Sequence, residues 1–282
     1  MSTISTIDIR DVTATLNYLV PSGERPAIHT VQPPEGAPWR TGASLPQVVT
    51  IRDARPLLSQ LSLDRQGFTL IRHKADVENF YDPREVRASY YPKAAAAIRR
   101  ASGAAQVFVF DHNVRNASKA LRNEDGAREP ARSVHNDFTA ASGRRRAEDE
   151  LAAAGLDPRP LLRRRFAIIN LWQPIRGPVR DAPLALCDAG SVAPEDLIAS
   201  DLIRRDRVGE IYQLAYNPAH RWFYFPDMRA DEALLIKCFD SDGDVARFAP
   251  HSAFDDPSVS PGAPPRESIE LRSLAIFAPR TA

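Results

Sequence analysis

Ala105-Gln106-Val107-Phe108-Val109-Phe110-Asp111 is the stretch that sets the class of the fold. Val107 to Phe110 is an unbroken run of β-branched and aromatic residues, the composition of a strand buried on both faces. From there to the C-terminus the same signature recurs at short intervals between Pro, Gly, Asn and Asp. Strands are expected over residues 132–138, 165–173, 211–216, 221–225, 233–239, 245–251 and 267–277. Upstream, residues 12–20, 47–52 and 67–72 read as three more, with a Pro- and Gly-rich extended loop over 21–46. Helix is expected over 76–102, capped by Asp76, reopened at Pro92 and stopped by Gly103. Shorter helices fit between 144 and 155 and between 194 and 204. The chain holds 24 prolines, and proline interrupts helices and central strands alike. Many short strands with such punctuation predict a mainly β barrel or sandwich with flanking helices. No linker-like break separates the two parts, so residues 1–282 read as one domain, with 1–104 packed on a core built from 105–282.

Composition excludes several function classes. Apolar residues make up 43% and charged residues 26%, with a net charge of +1, which points to neither nucleic acid nor an anionic membrane as partner. The N-terminal residues lack a basic and then apolar leader, and no window approaches the roughly 18 apolar residues of a membrane span. Cys187 and Cys238 have no metal-type spacing and sit in apolar runs, so buried free thiols in a reducing cytoplasm are expected. The runs Arg144-Arg145-Arg146 and Arg163-Arg164-Arg165 read mostly as solvated surface.

The chemical signal begins at Val134-His135-Asn136-Asp137. In a strand, residues i and i+2 share a face, so His135 and Asp137 can address one ion. Two imidazoles and one carboxylate form the facial set of non-haem Fe(II) oxygenases, which leaves three positions for a chelating 2-oxo acid and O2. A His-x-Asp pair alone is commonplace; its position at the end of a predicted strand, beside polar loops, strengthens it. The third ligand must come from His29, His73, His112, His220 and His251. His251 is chosen because it closes a strand-like run ahead of a loop and the last strand. On that strand Arg266, Ser268, Glu270 and Arg272 share a face. A guanidinium fork with a nearby hydroxyl suits the far carboxylate of 2-oxoglutarate, although a salt-bridged outer face would look the same. Asn170 is a further candidate for cosubstrate contact, against a satisfied core amide. Trp172, Tyr216, Arg221 and His112 are candidates for substrate contact. The run Trp222-Phe223-Tyr224-Phe225 reads as core before cavity, and the aromatic residues together suggest a mainly apolar substrate cavity.

These segments, taken in order, resemble the AsaB-, CmcJ- and NvfI-type hydroxylase/desaturase family, often called gibberellin desaturase-like. The likeness runs from Leu16-Asn17-Tyr18-Leu19 through Tyr90-Tyr91-Pro92 and Val109-Phe110-Asp111-His112-Asn113-Val114-Arg115. It continues with the His135 and Asn170-Leu171-Trp172-Gln173-Pro174 segments, Trp222 to Met228, Pro250-His251-Ser252 and the block from Pro265 to Arg272. The resemblance implies a double-stranded β-helix (jelly-roll) fold, Fe(II), 2-oxoglutarate and O2, and oxidative tailoring of a small secondary metabolite. It carries the metal ligands over to His135, Asp137 and His251, and leaves Arg266 and Arg272 both open as the cosubstrate arginine. Competing expectations are a cupin-like metalloenzyme without 2-oxoglutarate, a jelly-roll binding module, and a ligand set using His220. Substrate, oxidative outcome and oligomeric state are not given by the sequence.

Overall fold

A computed structural model describes residues 9–122, 124, 127–260 and 262–279. Its strands are Val12–Leu19 (β1), Ala27–His29 (β2), Ser44–Asp53 (β3), Phe68–Arg72 (β4), Gln106–Asn116 (β5), His135–Asn136 (β6) and Phe166–Pro174 (β7). They continue with Leu184–Cys187 (β8), Leu197–Ile203 (β9), Val208–Leu214 (β10), Trp222–Tyr224 (β11), Glu232–Asp240 (β12), His251–Ala253 (β13) and Glu267–Ile276 (β14). One sheet has the order β1-β3-β11-β8-β13-β6-β10-β9-β2, the other β4-β12-β7-β14-β5. The two sheets face one another across a shared core, the jelly-roll arrangement the sequence implied. Phe68, Ile168, Trp172, Leu234 and Ile236 of the smaller sheet meet Leu184, Leu186 and Phe223 of the larger.

The small sheet is apolar on both sides for a physical reason. Its inner face makes that shared core. Its outer face, with Ala167, Ile169, Leu171, Leu235, Ile269 and Leu271, is covered by Ala94 and Ile98 of the helix Tyr91–Ser102. Strands β7, β12 and β14 are buried along their full length, which is why they read as near-continuous apolar runs. In the large sheet Ala185 and Cys187 pack on the opposite side from Leu184 and Leu186, against Leu16 and Trp222. The Trp222-to-Phe225 run is buried core, as expected. Strands β1 and β3, from the first hundred residues, form one end of the large sheet.

Several local expectations are corrected. Asp82, not Asp76, caps the first helical turn, accepting from the Arg84 backbone N–H at 2.9 Å. Asp76 takes a left-handed φ of 48° and pairs with Lys93 and Lys74. Gly103 ends the helix at φ 73°, as predicted. Residues 197–203 form β9, because β10 pairs with them along their whole length. Residues 245–250 are loop: Pro250 has no N–H for a ladder, and the strand starts at His251.

Both cysteines are free and fully buried. Burial pushes the Cys187 thiol up to about 12 and that of Cys238 well above the usual thiol range. Native protein should therefore leave dithiobis(nitrobenzoate) uncoloured at mildly alkaline pH, and unfolding should release two reactive thiols. Rapid colour from the native protein would contradict that burial.

Candidate metal centre

The centre begins with a register. Strand β6 lies between β13 and β10, and His135 is paired directly across from His251. Cross-strand partners point to the same face, and here the two imidazoles lie with centroids 4.7 Å apart at an interplanar angle of 57°. Each ring is oriented by its own backbone. His135 Nδ1 is 2.8 Å from the Ser133 carbonyl, and His251 Nδ1 is 3.1 Å from that of Ala249. A carbonyl only accepts, so each Nδ1 carries the proton and each Nε2 keeps a lone pair.

Asp137 follows directly after β6 and crosses to the small sheet. Its Oδ2 accepts from Arg272 Nε at 2.9 Å and from Asn170 Nδ2 at 2.8 Å. Its Oδ1 lies 3.6 Å from His135 Nε2. One ligand atom from each of His135, Asp137 and His251 lies within 4.8 Å of the other two. Between the ligands, Asn136 ties the short strand down, donating to the Cys238 and Phe138 carbonyls at 2.8 and 2.6 Å.

The electrostatics suit a cation. Burial first, then the neighbouring His251, push His135 down to about 4, so its ring is neutral near pH 7. Burial would raise the Asp137 carboxyl, but the Arg272 guanidinium beside it holds it well below the usual carboxylate range. Arg272 itself is ringed by acids, Asp111 at 3.1 Å, Asp137 at 2.9 Å and Glu270 at 3.8 Å, and these hold its charge against burial. A neutral imidazole at His135, a second imidazole and a fixed carboxylate are the donor set a divalent metal needs.

Arg266 and Ser268 are placed differently from Arg272. Arg266 is buried over the Trp172 ring, 5.5 Å from its centroid, and donates through Nη1 to the Ala182 carbonyl. Its Nε and the Ser268 hydroxyl are buried without a hydrogen-bond partner among the described residues. Two unsatisfied donors two positions apart are what a bound carboxylate would satisfy. Trp172 is thus the floor beneath Arg266 and part of the core.

The remaining candidates are not brought to the centre. His112 points outward from β5 and meets the Tyr91 hydroxyl at 2.8 Å. Arg221 is clamped on Asp188 at 2.9 Å. Tyr216 packs edge-on to Tyr18, with centroids 5.2 Å apart. His220 has both ring nitrogens taken, by Asp196 at 3.0 Å and Tyr18 at 3.2 Å.

Beside His135 and Asp137 opens a cavity of about 900 Å³. It is not the apolar chamber the aromatic content suggested, because those rings are consumed by the cores. Arginines line it, including Arg145 and Arg146 of the run expected to be solvated. Sequence reading also missed Asp111, which lies on the face of β5 that looks toward Arg272. Alternation from the Arg272-facing position would have selected Asp111 over His112.

A family model described as the oxidoreductase/YMDC permease-like domain matches residues 16–276. The Fe(II)/2-oxoglutarate-dependent dioxygenase nvfI of Aspergillus novofumigatus (strain IBT 16806) is 32% identical over 243 residues, covering 81% of this chain and 83% of that protein. The chain belongs to the NvfI- and AsaB-type hydroxylase/desaturase family of Fe(II)/2-oxoglutarate-dependent dioxygenases. Another member of this dioxygenase family, the hydroxylase/desaturase efuI of Hormonema carpetanum, is 34% identical over 254 residues, 82% of this chain and 84% of that one. The solved structure of the iron and alpha-ketoglutarate-dependent endoperoxidase NvfI superposes with a TM-score of 0.84 at 29% identity, over 95% of this chain and 98% of its own. Membership makes the chain an enzyme that uses Fe(II), 2-oxoglutarate and O2. Among the described residues, no helix is long and apolar enough to cross a membrane.

Proposed function

We propose that His135, Asp137 and His251 hold the Fe(II), and that Arg266 with Ser268 holds the far carboxylate of 2-oxoglutarate. The observation that carries this reading is the cross-strand histidine pair whose ligand atoms lie within 4.8 Å of each other and of an Asp137 carboxylate oxygen. Bound there, iron with 2-oxoglutarate and O2 supplies the oxidising power to cleave an unactivated C–H bond, with release of succinate and CO2. The chain's own residues do the positioning. Arg272 and Asn170 fix Asp137 so that one carboxylate oxygen faces the two imidazoles. Ser133 and Ala249 carbonyls hold the ring tautomers. Arg266 and Ser268 set the reach of the cosubstrate, and Arg272, already engaged by three carboxylates, serves the ligand instead. The outcome is hydroxylation or desaturation of a secondary-metabolite-type small molecule, in line with the names of efuI and its relatives.

The pairing of β3 with β11 at one end of the large sheet and of β2 with β9 at the other supports a single oxygenase unit over 1–282. Two buried, unpaired thiols support a reducing, cytoplasmic setting.

The test is an anaerobic titration of the protein with Fe(II) and 2-oxoglutarate, watching the visible charge-transfer band. Wild type should develop the band, and His251→Ala should lose it. Arg266→Gln should keep iron but bind 2-oxoglutarate about 10- to 100-fold more weakly, since a charge-assisted pair contributes about 1.5–3 kcal/mol. No band in folded wild type with iron supplied would sink the reading. Unchanged 2-oxoglutarate affinity in the Arg266 variant would move the carboxylate site elsewhere.

A further inference from the structure

The chain carries 37 basic and 36 acidic residues, but its charge is not evenly spread. Among the described residues, the cavity beside the metal centre is lined by nine arginines and no lysine, against five carboxylates. Most of those carboxylates are already engaged. Asp137 and Asp111 are held by Arg272, and Asp111 also lies 3.5 Å from Arg146. Glu210 is paired with Arg25, which is not a lining residue, and accepts from Thr139.

Three lining arginines stand out. Among the described residues, the Arg115 guanidinium donates only to a backbone carbonyl, that of Glu129, at 2.7 Å. The guanidinium groups of Arg128 and Arg204 have no hydrogen bond or ion pair with any described residue. Instead they face other arginines. Burial first, and then Arg115 and Arg272, draw the Arg128 pKa down; burial, Arg272, Arg207 and Arg128 do the same to Arg204. Asp111 is the carboxylate that offsets both, and it is the one Arg272 already holds. Arg204 is half-buried and Arg128 is exposed; like charges gathered there repel, and an anion between them relieves that repulsion.

The cosubstrate does not account for that anion. Arg266 and Ser268, the donors left over for its far carboxylate, do not line this cavity. Doubly charged 2-oxoglutarate and Fe(II) also cancel in charge, so the surplus of arginines persists in the loaded enzyme. Beside the arginines lie Ile28, Leu202, Ile211 and Phe138, an apolar strip fit for a hydrocarbon skeleton. Arginine is the residue whose planar fork matches a carboxylate or phosphate.

We propose that this cavity takes a substrate bearing a fully ionised acidic group, a carboxylate or a phosphate monoester, seated between Arg128 and Arg204 with Arg115 behind it. The inference rests on the oxygenase reading of the adjoining metal centre. It makes Arg128 and Arg204 specificity-determining residues and sets the class of small molecule the enzyme oxidises.

The test uses three probes on one skeleton: 4-phenylbutanoate, 4-phenylbutyl phosphate and the neutral 4-phenylbutanamide. Each is titrated calorimetrically into anaerobic enzyme loaded with Fe(II) and 2-oxoglutarate, after the charge-transfer band has been recorded and while it is seen to persist. At least one anion should bind about tenfold or more tightly than the amide, the gain expected of a charge-assisted hydrogen bond. Whichever anion binds more tightly identifies the acidic group. Arg128→Gln combined with Arg204→Gln should erase the preference and leave the band intact, whereas Arg221→Gln, outside the cavity, should preserve both. Equal binding of all three probes, failure of both anions to bind, or a preference that survives the double substitution would overturn the proposal. Absence of the band at the outset would instead overturn the oxygenase reading, and this inference with it.

Discussion

Asp137→Ala should reduce turnover to background and weaken Fe(II) binding beyond the reach of ordinary titration. Losing even a residue that merely orients a ligand typically costs about 10- to 100-fold, and Asp137 is the only acidic member of the candidate set. A second penalty follows from its partners. Arg272 Nε and Asn170 Nδ2 both lose an acceptor in a buried place, and orphaned buried donors cost about 1–3 kcal/mol each. The variant should therefore unfold at lower temperature in addition to being inactive. Succinate release and a thermal melt, run on the same preparation, read both effects. Succinate release close to wild type would remove Asp137 from the set of metal ligands.

Arg272→Leu is expected to have the largest effect on stability. The guanidinium sits among Asp111, Asp137 and Glu270, with at most a tenth of its side chain exposed. Removing one partner of a buried ion pair costs about 3–5 kcal/mol, because the remaining charges are left uncompensated. For a chain of this size that corresponds to a fall of very roughly 10 °C in Tm. The sign of the accompanying pH dependence follows from Asp137. Its carboxyl is held low in the folded state by Arg272, so the stabilisation is present above the ordinary carboxylate pKa and is lost as pH falls through the folded value. Without Arg272 that loss should begin at higher pH. Acid-unfolding curves of the two proteins would show it, and superimposable curves would mean that Arg272 does not hold Asp137 in solution.

Much of this was legible in the sequence, for identifiable reasons. Strands β7, β12 and β14 announce themselves because burial on both faces leaves an uninterrupted apolar run. His135 and Asp137 were found by two-residue spacing, even though only the histidine lies within β6. The Arg-x-Ser spacing at 266–268 brought out the pair that the fold leaves with unsatisfied donors. Parity is what the reading did not use: the structural hydrogen-bonding role it preferred for His112 matches the bond to Tyr91, but it passed over Asp111. His112 drew notice as a histidine, but Asp111, its neighbour, is on the inward face, and only the pairing of β5 with β14 reveals that. The arginine-lined cavity was illegible for another reason. Its arginines come from the loop before β3, from β5, from residues 128–132, from the helix Ala140–Ala153, from the turn between β9 and β10 and from β14. No local window contains more than a few of them, and a net charge of +1 conceals their convergence.

That dispersed origin separates two jobs carried out side by side. The groups that face the metal and the cosubstrate are on, or immediately beside, strands β6, β7, β13 and β14. Arg128 and Arg204 instead come from loop and hairpin-turn backbone at the rim. Relatives can therefore diverge in what they accept by exchanging rim segments while the inner machinery stays constant. A graft of the 127–133 and 203–208 segments between two family members should transplant molecular preference without rebuilding the catalyst.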